Sequence, residues 1–312
     1  MLKVFALLML FGISISGQLP DRTISITIDD LPVVTTQKDI KDHRELTRKL
    51  LGHIKKAKAP AIGFVNENKL YDGDKLIQAK VELLEMWLDA GLELGNHTYS
   101  HRSLNVIALE EYKADVLKGE TVLRDLLAKR KMALRYFRHP FLQTGRTLEI
   151  KQQFDSFLQQ HGYRIAPVSH DNADYIFSRA YDLARDKNDK KLMKKIGDAY
   201  VPYMIAKMDY WERQAVKLFG REISQILLIH ANSINAEYFD DLARALKKRN
   251  YKFVSLETSL KDEAFTTPDR FVGFGGISWL HRWAIDKGKG NIVPDEPKVP
   301  EFVMKASGFE SK

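Results

Sequence analysis

The feature that most constrains the fold of this chain is a repeated alternation of short apolar strands with amphipathic helices. Apolar and β-branched runs that are typical of buried strands occur at residues 24–28, 61–65, 92–94, 134–137, 164–168, 226–229 and 251–255. Helical periodicity predicts helices between them, over residues 44–55, 75–90, 109–131, 151–161 and 237–248. Because strands that alternate with helices usually run parallel, we expect an α/β fold around a parallel sheet, either open or closed as a barrel.

The N-terminal residues have the pattern of a cleavable export signal. Lys3 is followed by an apolar stretch over residues 4–15, and small residues lead to Gly17. The apolar stretch is too short to span a bilayer well, so cleavage is favoured over a membrane anchor. We therefore expect residues 1–17 to be a signal peptide and the mature protein to be periplasmic or secreted, without stable membrane insertion.

The alternation of strands and helices is interrupted once and then ends. Residues 178–220 are rich in charge and helical in character, which predicts a helical insertion in a domain spanning residues 18–265. This insertion either caps a groove or offers a contact surface, and its aromatic side chains either bind sugars or belong to the core. Residues 266–312 are rich in Gly and Pro and resemble a loop, but they contain Phe271, Trp279 and Trp283. We expect this extension to pack on the domain.

Composition excludes some chemistry. The chain has 49 Lys and Arg against 41 Asp and Glu, but the positive charge lies in short runs without a nucleic-acid-binding motif. Solvated helix faces explain such runs, so we expect no nucleic-acid partner. The chain has no cysteine, so disulfides and thiolate ligands are ruled out. A metal ion would have to be bound by His, Asp or Glu, which suits zinc or a similar divalent ion.

Two acidic residues and two histidines follow predicted strands. Asp29 and Asp30 end the first strand, where adjacent carboxylates repel each other and need a compensating charge such as a metal ion. His97 and His101 follow the third strand and would lie on one face if that segment were helical. The carboxyl ends of parallel strands meet at one edge of a sheet, so these residues predict an Asp–His–His metal site with open coordination positions.

These residues resemble motifs of the polysaccharide deacetylase family, which has the NodB homology domain of carbohydrate esterase family 4. Asp29-Asp30 and His97-Thr98-x-x-His101 are similar to its first two motifs. Three further motifs follow in family order, each close to a predicted strand end: Arg138-His139-Pro140-Phe141, Asp171-Asn172-Ala173-Asp174-Tyr175 and Leu227-Leu228-Ile229-His230. The resemblance covers roughly residues 22–260 and implies a distorted (β/α) barrel. Tyr175 stands where the family usually has Trp.

The resemblance also implies roles for individual residues. Asp30, His97 and His101 would bind a divalent metal, with zinc as the expected ion, and Asp29 would be the general base that takes a proton from a metal-bound water. His230 would protonate the departing amine. Arg138 would orient Asp29, and Asp174 would orient His230 or join the same network. The implied activity is hydrolytic removal of acetyl groups from a glycan or oligosaccharide, with N-acetyl as the expected linkage.

Two other functions remain open. The same metal site could hydrolyse a non-sugar amide or imide, or the chain could be a non-catalytic glycan-binding protein. Taken singly, the motif residues also have structural explanations, since Asp29 and Asp30 could form a turn and His230 could be a buried, hydrogen-bonded side chain. His139, His170 and His281 could be structural or functional. The sequence makes no prediction about the glycan, the acetyl linkage or the oligomeric state.

Overall fold

A curled parallel sheet forms the centre of the molecule. The computed structural model describes residues 22–290 and 294–309. Within these residues, seven parallel strands form one sheet in the order β7-β6-β5-β2-β1-β8, with β9 also paired to β1. The strands are β1 (Arg22–Val34), β2 (Ile62–Val65), β3 (Tyr71–Asp72), β4 (Lys75–Leu76), β5 (Glu93–Asn96), β6 (Tyr136–Phe137), β7 (Arg164–Ile165), β8 (Gln225–Asn232) and β9 (Tyr251–Phe253). Strands β3 and β4 form a separate antiparallel hairpin.

The sheet curls because the chain beyond β7 returns to β8. The N–H of His170 donates to the carbonyl of Ile226 at 3.0 Å, and the N–H of Leu228 donates to the carbonyl of His170 at 3.2 Å. This parallel bridge links the β7 side of the sheet to its other edge. The predicted distorted (β/α) barrel is therefore confirmed. The carboxyl ends of its strands meet at one rim.

Helices surround this sheet and account for the rest of the core. They are α1 (Ile40–Ala57), α2 (Gln78–Asp89), α3 (Leu109–Lys118), α4 (Thr121–Lys129), α5 (Leu148–Gln160), α6 (Asp174–Asp186), α7 (Lys190–Phe219), α8 (Ser233–Lys248), α9 (Leu256–Ser259), α10 (Trp279–Asp286) and α11 (Glu301–Ser307). Helix α1 packs on α8, α6 packs on α7 and α11, and α10 packs on α7. Among the described helices, none combines the length and the hydropathy that crossing a bilayer requires.

Two sequence predictions about elements are wrong in detail. The single helix predicted over residues 109–131 is two helices, α3 and α4, separated at Gly119 and Glu120. The extension predicted to resemble a loop contains α10 and α11, because its Gly and Pro residues lie before, between and after these helices and not inside them. Ser278 caps the first of the two by accepting the N–H of Leu280.

The predicted insertion is helical, since α6 and α7 cover most of residues 178–220. Its tyrosine and tryptophan side chains are buried, so they belong to the core and are not available to bind sugars; they are Tyr181, Tyr200, Tyr203, Tyr210 and Trp211. In the extension, Trp279 and Trp283 are also buried, so this segment packs on the domain. The domain boundary at 265 stays a prediction, and the expected signal peptide lies outside the described residues.

Candidate metal centre and active-site cavity

The two adjacent aspartates at the end of β1 point in different directions. Asp29 keeps the extended geometry of the strand and pairs in register with His230 on β8. Asp30 has a φ of 68°, a left-handed conformation that Asp tolerates better than most residues. The regular pairing of β1 with β2 and with β8 is interrupted at this position. The two carboxylates are therefore separated by strand alternation together with a backbone kink at Asp30.

The two histidines converge through an irregular loop. Residues 97–101 are not helical, so the predicted helical face is wrong for this segment. Thr98 and His101 both have positive φ, at 67° and 54°. The Asn96 side chain accepts the N–H of Thr98 at 2.7 Å, and the Thr98 hydroxyl accepts the N–H of His101 at 3.0 Å. These hydrogen bonds fix a tight turn that brings both imidazoles over the end of β1.

Asp30, His97 and His101 form a cluster with the donor set of a metal site. Their ligand atoms all lie within 4.8 Å of one another. Asp30 Oδ1 lies 3.6 Å from His97 Nε2 and 3.4 Å from His101 Nε2, and it is buried without a hydrogen-bond partner among the described residues. His97 Nδ1 lies 2.8 Å from the Arg138 carbonyl, so it donates there and leaves Nε2 as a ligand atom. Two imidazoles, one carboxylate and an unpartnered carboxylate oxygen fit a divalent ion such as zinc.

Asp29 lies beside this cluster and against a buried arginine. Its Oδ2 is 3.6 Å from Arg138 NH1 and 3.7 Å from His97 Nε2. Arg138 is fully buried, donates from NH2 to the Thr27 hydroxyl at 2.8 Å and stacks over the Phe64 ring. Burial raises the pKa of Asp29 to about 6, although the positive charge of Arg138 opposes the rise. Asp29 is thus a carboxylate whose proton affinity suits a general base near neutral pH.

The Asp174 carboxylate holds the His230 ring from the side that faces away from the cavity. Its Nδ1 donates to Asp174 Oδ1 at 2.7 Å, and its backbone N–H donates to Asp174 Oδ2 at 2.8 Å. Asn232 and Asn235 also donate to Oδ2 of Asp174. Burial alone lowers the pKa of His230, but the Asp174 carboxylate, together with Asp30 and Asp29, outweighs it and raises the pKa to about 9. His230 is therefore protonated at neutral pH and can donate from Nε2.

A cavity of about 550 Å³ connects these groups. Asp29, Asp30, His97, His101 and His230 line it, whereas Arg138 and Asp174 lie behind the side chains that they contact. The structure thus brings all seven predicted site residues together. The other lining residues are Val34, His139, Phe141, Leu142, Asp171, Asn172, Tyr175, Leu228 and Gly276.

Sequence reasoning missed one charged group, Lys69, and gave no role to another, Asp171 of the fourth motif. Lys69 donates from Nζ to the Asp30 carbonyl at 2.8 Å and lies 3.8 Å from Asp30 Oδ2. Burial raises the pKa of Asp30, but Lys69 and the nearby histidines together outweigh burial and lower the pKa. Lys69 follows β2, which is the neighbour of β1. Its position after a strand end was the feature of the sequence that could have indicated a place at this rim. Asp171 lines the cavity, and burial raises its pKa to about 6.

The three histidines left open by the sequence differ in position. His139 lines the cavity with both ring nitrogens unpartnered among the described residues. His170 is buried and supplies the backbone bridge to β8. His281 packs against the Trp211 ring and lies within hydrogen-bond distance of the Tyr210 hydroxyl, outside the cavity.

Comparisons with known proteins find one matching family model and several similar folds. Residues 16–166 match the family model described as polysaccharide deacetylase, a stretch just short of half the chain. A comparison with curated protein sequences gives no match. The chitin deacetylase of the fungal pathogen Colletotrichum lindemuthianum is similar in fold, with a TM-score of 0.52 and 19% identity over 77% of this chain and 88% of that one.

Two bacterial structures align less closely. The peptidoglycan deacetylase PdaC from Bacillus subtilis gives a TM-score of 0.47 and 20% identity over 78% of this chain and 94% of that one. A CE4 family pseudoenzyme from Bacillus anthracis gives a TM-score of 0.49 and 16% identity over 78% of this chain and 67% of that one. The matched residues 16–166 include the aspartate pair, both histidines and Arg138, which the fold assembles at one rim of the barrel. Over residues 16–166, the chain is therefore similar to the polysaccharide deacetylase family.

Proposed function

We propose that this protein is a metal-dependent hydrolase that removes acetyl groups from a glycan or oligosaccharide. The expected linkage is N-acetyl. The observation that carries the proposal is the arrangement of three metal-ligand side chains, a free carboxylate and a protonated imidazole around one cavity. Amide hydrolysis needs a base to activate water and an acid to protonate the leaving nitrogen. Asp29 and His230 supply these two groups in opposite protonation states at neutral pH.

The ion that we propose for Asp30, His97 and His101 is zinc. When bound, it would supply Lewis acidity toward the acetyl carbonyl and toward water. Asp29 takes the proton of the attacking water, and Arg138 holds its carboxylate in place from behind. His230 gives a proton from Nε2 to the amine as the carbon–nitrogen bond breaks. Asp174 keeps the His230 ring oriented by accepting the Nδ1 proton.

The test is release of acetate by the zinc-loaded protein from three kinds of substrate: N-acetylglucosamine oligomers, O-acetylated xylan and small amides or cyclic imides. We expect acetate from an acetylated glycan and a loss of both zinc and activity in His101→Ala. His43→Ala is the matched control, since His43 is also partly exposed but contacts the Gln37 carbonyl at the start of α1.

Other outcomes of this experiment would contradict the proposal in distinct ways. Turnover of small amides or imides alone would assign a different substrate class to the same site. Binding of glycans by folded, zinc-loaded protein without any acetate release would assign the chain to the non-catalytic proteins.

We also propose that the protein is exported. The support is the sequence pattern of residues 3–17, a basic residue followed by a short apolar stretch and small residues. Fractionation of cells that express the full chain with a C-terminal tag should recover a processed form in the periplasm or medium. Recovery of unprocessed protein in the cytoplasm would contradict export.

A further inference from the structure

Exposed aromatic side chains are concentrated around the cavity. Within the described residues, the aromatic side chains that remain well exposed are Phe141, Tyr175, Phe274 and Phe309. Phe141 and Tyr175 line the cavity itself. Phe274 and Phe309 come from the C-terminal extension, outside the stretch that matches the family model. Because exposed aromatic surface that adjoins a cavity commonly marks a ligand-binding groove, these two residues need an explanation.

Phe274 is held at the His101 side of the cavity. The Phe141 ring lies 4.4 Å from the His101 ring. The backbone beside Phe141 is covered by Gly276, where an added Cβ would lie 1.5 Å from the Phe141 carbonyl oxygen. The Phe274 carbonyl accepts hydrogen bonds from Gln143 Nε2 at 2.9 Å and from Asn105 Nδ2 at 3.2 Å. These contacts fix the loop next to Phe141.

The ring of Phe274 is nevertheless left open. Phe274 is 74% exposed, although its backbone is anchored at several points. The guanidinium of Arg146 lies 4.2 Å from the ring centroid. One face of the ring can be covered by this cation while the rest of the ring is available to a ligand.

Phe309 occupies the corresponding position at the His230 side. The Tyr175 ring lies 6.2 Å from the His230 ring, and the Phe309 ring lies 6.0 Å from the Tyr175 ring. Arg179 Nε donates to the Ser307 carbonyl at 2.8 Å, and its guanidinium lies 5.5 Å from the Phe309 ring. The Phe309 N–H donates to the Ser307 hydroxyl at 3.2 Å. The end of α11 is thus fastened to α6 with the Phe309 ring 43% exposed.

We propose that Phe274 and Phe309 are sugar-stacking subsites at the two ends of the active-site cavity. The substrate would then be a chain of acetylated hexoses, with a sugar on each side of the one whose acetyl group enters the cavity. This inference rests on the proposed function. The apolar C–H face of a pyranose fits the electron-rich face of an aromatic ring, and the neighbouring Arg146 and Arg179 can hydrogen-bond its hydroxyl edge. A protein partner would be expected to bury a wider apolar patch than two separated rings.

The test measures binding without turnover. Each variant is made in the Asp29→Asn background and loaded with zinc, and its affinity for N-acetylglucosamine and for the N-acetylglucosamine hexamer is measured by calorimetry. We expect Phe274→Ala and Phe309→Ala each to weaken hexamer binding by about three- to tenfold and to leave monomer binding unchanged. Phe274→Tyr and Phe309→Tyr should restore hexamer binding. Val216→Ala, an exposed apolar residue of α7 that does not line the cavity, is the control and should change neither affinity.

The inference and the proposed function can fail separately. If the parent protein with Asp29 releases no acetate but both Phe variants weaken hexamer binding, the subsites stand and the deacetylase assignment falls. If the parent protein releases acetate but the Phe variants bind the hexamer as tightly as the parent does, the subsites are wrong. A hexamer that binds no more tightly than the monomer in the parent protein would also overturn them.

Discussion

Two neighbouring aspartates in this protein have opposite electrostatic environments. Burial raises the pKa of Asp29 to about 6, because Arg138 compensates only part of the desolvation. For Asp30, Lys69 and the nearby histidines outweigh burial and lower the pKa. The positive φ of Asp30 turns its side chain toward the histidines. One residue is therefore suited to bind a cation and the other to exchange a proton, which is the division of roles that the proposed reaction needs.

The contact between Asp174 and His230 predicts a change in the pH dependence of activity. Asp174 is the largest of the carboxylate contributions that raise the pKa of His230 to about 9, so His230 stays protonated below that pH and loses its proton above it. In Asp174→Asn the carboxylate charge is removed while burial remains, so the pKa of His230 should fall. We expect the alkaline limb of the kcat/KM profile to move to lower pH. Asp186→Asn, an exposed residue on the same helix, should leave the profile unchanged; an unmoved limb in Asp174→Asn would exclude His230 as the acid.

At the scale of elements, the break between α3 and α4 makes room for the histidine loop. A Cβ added at Gly119 would lie 2.4 Å from the Tyr99 nitrogen and 2.5 Å from the Thr98 carbonyl carbon. The Tyr99 N–H donates to the Asp115 carbonyl at 3.0 Å in the last turn of α3. The loop that carries His97 and His101 therefore rests directly on the end of this helix.

Gly119→Ala should accordingly disturb the metal site from a distance. The new methyl group must displace the loop backbone or the helix end, which we expect to lower the free energy of unfolding by about 1–3 kcal/mol and to weaken zinc affinity. Gly52→Ala in α1 is the matched control, because nothing lies within 4 Å of the added Cβ. It should be neutral or stabilising by about 0.5–1 kcal/mol. Denaturant unfolding and zinc titration measure both effects, and equal behaviour of the two variants would contradict this account of Gly119.

The sequence predicts some parts of this site well and others poorly, for physical reasons. Asp29, His97 and His230 follow apolar strands, and a parallel sheet brings such positions to one rim, so their proximity was predictable. The left-handed conformations of Thr98 and His101 were not predictable, because their loop is shaped by a hydrogen bond to Asn96 and by contact with Gly119. Lys69 was missed because its partner, Asp30, is remote in sequence.

At the scale of the whole molecule, a buried arginine fastens the C-terminal extension to the active-site rim. Arg282 is fully buried on α10 and donates to the Leu142 carbonyl, to the Thr144 hydroxyl at 2.8 Å and to Asp269 Oδ2 at 3.0 Å. Leu142 lines the cavity. The extension is therefore a structural part of the site as well as the source of the two proposed subsites.

Arg282→Met should weaken this attachment. Removing the guanidinium leaves the buried Leu142 carbonyl and the Asp269 carboxylate with fewer partners, and we expect a loss of about 3 kcal/mol in the free energy of unfolding. Arg270→Met is the control, since Arg270 is exposed in the same extension and should change stability by less than about 0.5 kcal/mol. Urea denaturation of both variants provides the comparison. A loss of similar size in both would mean that Arg282 does not anchor the extension.

The proposed reaction depends on the separation of Asp29 from the three proposed metal ligands. The most direct measurement compares zinc content and acetate release for the parent protein and for Asp29→Asn, with an N-acetylated glycan oligomer as substrate. We predict equal zinc content and a loss of about 10²- to 10⁴-fold in kcat for Asp29→Asn, because only the base is removed. Equal rates for the two proteins, or loss of zinc together with activity, would contradict the roles assigned to Asp29 and Asp30.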